Sequence, residues 1–136
     1  MITALILGFS SVALLQFFVS YCRSVIAASG ARSLSEQVRD VAGIKGQEVS
    51  GEEFERLLQL ARLCPDSGRN RRAVAAITAY FRLVTIVRSA SHKLAPSLIS
   101  WTERELSGCA YFAATALDQR ITYSRGLMAE QFSNQR

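Results

Sequence analysis

The stretch "ITALILGFSSVALLQFFVSYCRS" covers Ile2–Ser24, and no charge interrupts it before Arg23. Such a run fits a secretion signal that is cut off, a buried core helix or a permanent membrane anchor. A helix over Ile2–Tyr21 measures about 30 Å at 1.5 Å per residue, the hydrocarbon thickness of a bilayer. A signal sequence instead has a basic start, an apolar run of about 7–15 residues and a small-residue cleavage site. No Lys or Arg precedes this run, and the run is longer than a signal needs. The segment "AASGA", Ala27–Ala31, still offers a cleavage site, so secretion after cleavage stays as the alternative. A core helix would be apolar on one side, whereas Leu5, Ile6, Leu7, Phe9, Val12 and Leu14 reach right round the helix. The reading is a retained single-pass transmembrane anchor over residues 1–28.

The flanks orient it. Arg23, Arg32, Arg39 and Lys45 follow the span. Basic residues mark the cytoplasmic side, so the N-terminus is expected outside and the C-terminal bulk in the cytoplasm. Tyr21 suits the headgroup level, and Arg23 suits snorkelling towards it. Within the span, Ala4, Gly8 and Ser11 fall within about 60° of one another at 100° per residue. Ala4-x-x-x-Gly8 is the small-xxx-small spacing that lets a second helix approach closely, so these three residues are the expected intramembrane contact. Small residues are also frequent in membrane helices at large. Gln16 lies on another side and needs a polar partner if it enters lipid.

The rest reads as helical and as one domain. The chain has 136 residues, 49% of them hydrophobic, which suffices for one small core. Residues 29–48 form a linker with a short helix at Ser33–Ile44, broken by Gly43 and Gly46. Residues 49–136 form the helical domain. Its first helix opens on a capping box, Ser50 with Glu53, reinforced by Glu52 and Glu55. Phe54, Leu57, Leu58, Leu60 and Ala61 make its apolar stripe, and Pro65 with "DSG" ends it. The next runs from about Asn70 to Ser91 and is apolar on nearly all sides over Ala73–Val87, Arg82 apart. It is short for a span, and reads as the central bundle helix or as one lying against a membrane or partner. The last begins at Pro96 and follows a mostly apolar face through Leu98, Trp101 or Thr102, Glu105, Leu106, Cys109, Phe112, Ala113, Ala116, Leu117, Arg120, Ile121 and Leu127. Unbroken to Phe132 it would be about 55 Å long, roughly twice the width of a globule of this size. Either Gly108 or Gly126 bends it, or its end projects. The fold class is therefore all-α: one N-terminal transmembrane helix and a small bundle of about four helices, the last one long.

Chemistry is sparse. The chain has one histidine, His92, and three widely spaced cysteines, Cys22, Cys64 and Cys109, with no CxxC. No His/Cys metal set assembles from these, and no cofactor or catalytic motif is present, so no metal, no cofactor and no enzymatic activity are expected. Cys22 beside the membrane is either a small interfacial hydrophobe or a palmitoylation candidate. Glu52, Glu53 and Glu55, like Glu103 and Glu105, sit where helix N-termini favour acids.

The net charge of +5 is uneven. Residues 66–95 hold six basic side chains and one acid, concentrated in Arg69, Arg71 and Arg72. This turn is the candidate contact with an anionic membrane surface or an acidic protein; without a recognition element or stacking aromatics, nucleic acid is not the expected partner. Two roles follow: an accessory or assembly subunit of a larger membrane complex, contacting other membrane subunits and the lipid bilayer, or a membrane-tethered regulatory or adaptor module recruiting a cytosolic partner.

Overall fold

A computed structural model describes residues 1–30, 51–64, 68, 71–94 and 97–133. These form four α-helices: α1 (Ile2–Gly30), α2 (Gly51–Leu63), α3 (Arg71–Leu94) and α4 (Ser97–Ser133). The short helix expected at Ser33–Ile44, and with it Ser50, Pro65, Arg69 and Pro96, lies outside the described residues. Helix α4 packs against each of the other three, and α1 also packs against α3.

Residue spacing explains which faces turn inward. In α2, Phe54, Leu57 and Ala61 recur at helical spacing and are buried, while Leu58 is half-buried. Leu60, expected in the same stripe, falls outside that arc and is 40% exposed. In α3, Ile77, Tyr80, Phe81 and Val84 form the inner face. Phe54 stacks on Phe81 with ring centroids 4.0 Å apart, which joins α2 to α3. The β-branched patch Val84–Val87 is helical, with Val84 buried in the core. The hydroxyls of α3 return to their own helix: Thr78 donates to the Val74 carbonyl, Thr85 to Phe81, Ser89 to Thr85 and Ser91 to Val87.

Helix α4 supplies the backbone of the core. Thr102, Glu105, Leu106, Cys109, Ala110 and the run 112–117 are buried. It passes both Gly108 and Gly126 without a break, so its end projects: Tyr123, Leu127, Met128 and Phe132 are all exposed. At 37 residues its length is about 55 Å. Ala110, Ala113, Ala114 and Ala116 are buried there, and such small side chains permit close helix packing.

Helix α1 divides into two parts. Residues 1–17 are exposed throughout. From Phe18 onward the helix joins the core, with Phe18, Val19, Val25 and Ile26 packed on it and Cys22 and Ser29 buried. Phe18 meets Tyr80 edge to face at 6.3 Å, and the Cys22 thiol lies 3.9 Å from the Ala76 carbonyl oxygen. Those pairs make α1 antiparallel to α3. Arg23 meets Glu105 and Ile26 meets Gly108, which makes α1 parallel to α4.

Gly108 is therefore not a hinge. A β-carbon built there would sit 2.9 Å from the Ile26 Cγ2 methyl, closer than packed carbons come. Glycine lets the two helices touch. A Gly108→Val substitution should destabilise the protein by about 1–3 kcal/mol through overpacking, and adding Ile26→Ala should recover part of the loss. Gly126→Ala, at an open position, should be neutral or stabilising by up to about 1 kcal/mol. Urea unfolding in mild detergent reads all three; equal effects at Gly108 and Gly126 would contradict the close approach.

Candidate functional site

Two features stand out on the folded chain: the junction that ties α1 to the bundle, and a basic groove along α3. The junction is polar. Glu105 is 6% exposed on the inner face of α4 and uses both carboxylate oxygens. Arg23 Nε meets Oε1 at 3.1 Å, and the Tyr80 hydroxyl donates to Oε2 at 2.9 Å. One carboxylate thus binds a side chain from each of α1 and α3. Burying a carboxylate is costly unless it is paired and hydrogen-bonded, and here it is both. Tyr80 is fully buried, so its hydroxyl serves the junction and meets no solvent.

The surroundings hold the nearby acids protonated. Burial pushes the Tyr80 phenol well above its usual value, and its bond to Glu105 adds to that. Burial, with Glu105 behind it, raises the Cys109 thiol to about 12. The three cysteines are free, Cys22 and Cys109 buried and Cys64 half-buried. Cys22, read as facing the membrane interface, is closed off from acylation because α3 covers it. Among the described residues no three His, Cys, Asp or Glu side chains gather as a metal site.

Sequence position placed Glu105 both on the inner face of the last helix and among the acids of its N-terminal end, and Arg23 beside the headgroups. The structure keeps the first placement of Glu105, corrects the second, and gives Arg23 a protein partner. Glu105 lies too far into α4 for its first turn and faces inward, where Arg23 and Tyr80 meet it. Glu103 is on the outer side, 3.3 Å from Arg88 in an exposed pair.

The groove lies on the flank of α3 away from α1. Its volume is about 1190 Å³, and it opens to solvent between α3, the end of α2 and α4. Arg71 and Arg82 of α3, Arg62 of α2 and Arg120 of α4 line it, and among the described residues no acid does. Arg120 also crosses to the Ala61 carbonyl oxygen, which ties α4 to the last turn of α2. The floor includes Val74, Ala75, Ala79, Leu83 and Ile86. Of the expected basic turn, Arg71 and Arg72 are exposed in the first turn of α3, which has no acidic residue. Cations there oppose the positive end of the helix dipole, so helix stability does not explain them. Arg62, Arg82 and Arg120 were missed as companions of Arg71 because they are distant in sequence and only folding gathers them. The expected helix-contact residues Ala4, Gly8 and Ser11 are all exposed, and the Ser11 hydroxyl donates to the Leu7 carbonyl at 2.8 Å.

No known protein family, curated protein or solved structure matches the chain.

Two outcomes follow from the junction. Arg23→Ala leaves a buried carboxylate with one partner, and should cost about 1–3 kcal/mol, the lower part of the buried-pair range because Arg23 is half-exposed. Arg88→Ala at the surface pair should cost under about 1 kcal/mol. Unfolding curves of the two variants compare them directly. The second outcome concerns pH. The folded state holds the Cys109 thiol protonated to about 12, against an ordinary 9.0 in an unfolded chain. Its contribution is complete below that ordinary value and is lost as pH rises towards the folded one, because only the unfolded chain releases the proton in that window. Tyr80 extends the loss to still higher pH. Stability should fall steadily in alkaline urea titrations, and Cys109→Ala should flatten the first part of that fall.

Proposed function

We propose that the chain is a non-catalytic accessory or assembly subunit of a larger membrane protein complex, held by α1 as a single-pass anchor with the bundle on the cytoplasmic side. The observation that carries this reading is the exposed half of α1. Met1–Phe17 presents Leu5, Ile6, Leu7, Phe9, Val12 and Phe17 to the surroundings, each more than 60% exposed. A continuous apolar surface of that size needs a cover other than water. Both α1 and the segment Arg71–Ser91 are long and apolar enough to cross a membrane by length and composition. The second has its inner face in the core, which leaves α1 as the anchor.

Retention of α1 is supported by its other half. Cleavage within Ala27–Ala31 would strip Phe18, Cys22 and Ile26 from the core and leave Glu105 without Arg23. The part of α1 free of the bundle is about 24 Å long at 1.5 Å per residue, shorter than a hydrocarbon core of about 30 Å. A membrane meets such a shortfall by local thinning or by helix association. Association suits a subunit, and Ala4, Gly8 and Ser11 offer the face for it. The adaptor reading draws on Arg71 and Arg72, which are exposed and unexplained by helix stability.

Native gel electrophoresis after mild detergent extraction tests the choice. A subunit comigrates with a large complex, and Gly8→Leu, which blocks close helix approach, releases it. Migration as a free monomer or dimer before any substitution would contradict the subunit reading and leave the adaptor.

A further inference from the structure

We infer that the end of the bundle where α3 finishes and α4 starts is a second membrane contact, seated in the headgroup layer of the bilayer that α1 crosses. This rests on the anchor reading proposed above and adds a lipid-facing surface to it. Helix register carries the inference. Arg23 opposite Glu105 and Ile26 opposite Gly108 set α1 against α4 in one parallel register. In that register Leu98 is level with Gln16 and Trp101 with Val19, where the free half of α1 leaves the core. On the other side Phe18 meets Tyr80, so the part of α3 beyond Tyr80, with Arg82 and Ile86, runs past the same point. A bilayer that surrounds α1 as far as Phe17 therefore borders this end of the bundle. The free half of α1 also falls about 6 Å short of a hydrocarbon core of about 30 Å, and sinking the bundle by about one helical turn makes up the difference.

The side chains suit that boundary. Ile86 is 69% exposed, Leu98 43%, and Trp101 is half-buried. Indole rings favour the level where acyl chains meet headgroups. Five hydroxyls at this end donate to carbonyls of their own helix: Thr85 to Phe81, Ser89 to Thr85, Ser91 to Val87, Ser100 to Ser97 and Thr102 to Ile99. They enter a poorly hydrated layer with their partner already in place. Glu103 carries its own counter-charge, Arg88 at 3.3 Å. Arg82 and Arg104 are exposed, and their long stems let the guanidinium groups reach lipid phosphates. The opposite end of α4 lies outside this layer, since Phe132 is about 46 Å further along the helix than Trp101.

The test uses the full chain in phosphatidylcholine nanodiscs, with the chain's one tryptophan, Trp101, as reporter. The lipid is brominated either near the headgroup end or near the methyl end of its acyl chains. The expected result is a loss of Trp101 emission that is larger in the first lipid than in the second. In a Trp101→Phe background, Ile86→Trp should show the same order, whereas Phe132→Trp should respond to aqueous acrylamide and to neither lipid. An Ile86→Trp chain quenched by acrylamide and by neither lipid would overturn the inference and leave this end for a protein neighbour. Stronger quenching from the methyl end would also overturn it, because the bundle would then be embedded in hydrocarbon. So would equal lipid quenching of Ile86→Trp and Phe132→Trp. Retention on the nanodiscs during gel filtration reads the anchor separately. A chain that is retained without lipid quenching loses only this contact, and one that is not retained loses the anchor reading as well.

Discussion

The rest of the structure depends on the contact of α1 with α4, where Ile26 rests on Gly108 and Arg23 reaches Glu105. The two interactions have different physical characters and support one another. The glycine removes the side chain that would hold the helices apart, and the ion pair fixes which turn of α1 meets which turn of α4. Tyr80 then draws α3 to the same carboxylate. Three helices are set in register by one buried acid. An apolar contact alone tolerates sliding, since one leucine-sized side chain replaces another at similar energy. A carboxylate with two directional partners does not.

This junction makes α1 a single helix with two environments. From Phe18 to Ser29 it is a core element with a buried face, and from Met1 to Phe17 every residue is exposed. In the proposed reading the bilayer covers the second part, and the bundle is held rigidly against the anchor instead of trailing on a tether.

Much of the architecture was legible in the sequence because helical periodicity is local. The apolar span, the stripe Phe54–Leu57–Ala61 and the inner face of α4 all announce themselves at spacings of three and four. Length alone left two outcomes for α4, a bend at Gly108 or Gly126 or a projecting end, and the structure shows the second. What stayed hidden was every feature made by residues distant in sequence. Gly108 looks like a hinge until Ile26 is seen above it. Glu105 also looks like a helix-end acid, and both its partners precede it, Arg23 by about 80 residues and Tyr80 by 25. Arg71 was visible in its cluster, whereas Arg62, Arg82 and Arg120 join it only once α2 and α4 pack on α3. Tyr80 sits in an apolar run in which nothing marks it as a hydrogen-bond donor to a buried acid.

The account holds that α1 is both part of the core and the membrane anchor, so it must survive in the mature protein. Mass spectrometry of the N-terminal region, on protein recovered from alkali-washed native membranes, tests this most directly. The account predicts peptides from the Ile2–Phe17 run in the membrane pellet. A mature chain beginning within Ala27–Ala31 and recovered in the soluble fraction would contradict it.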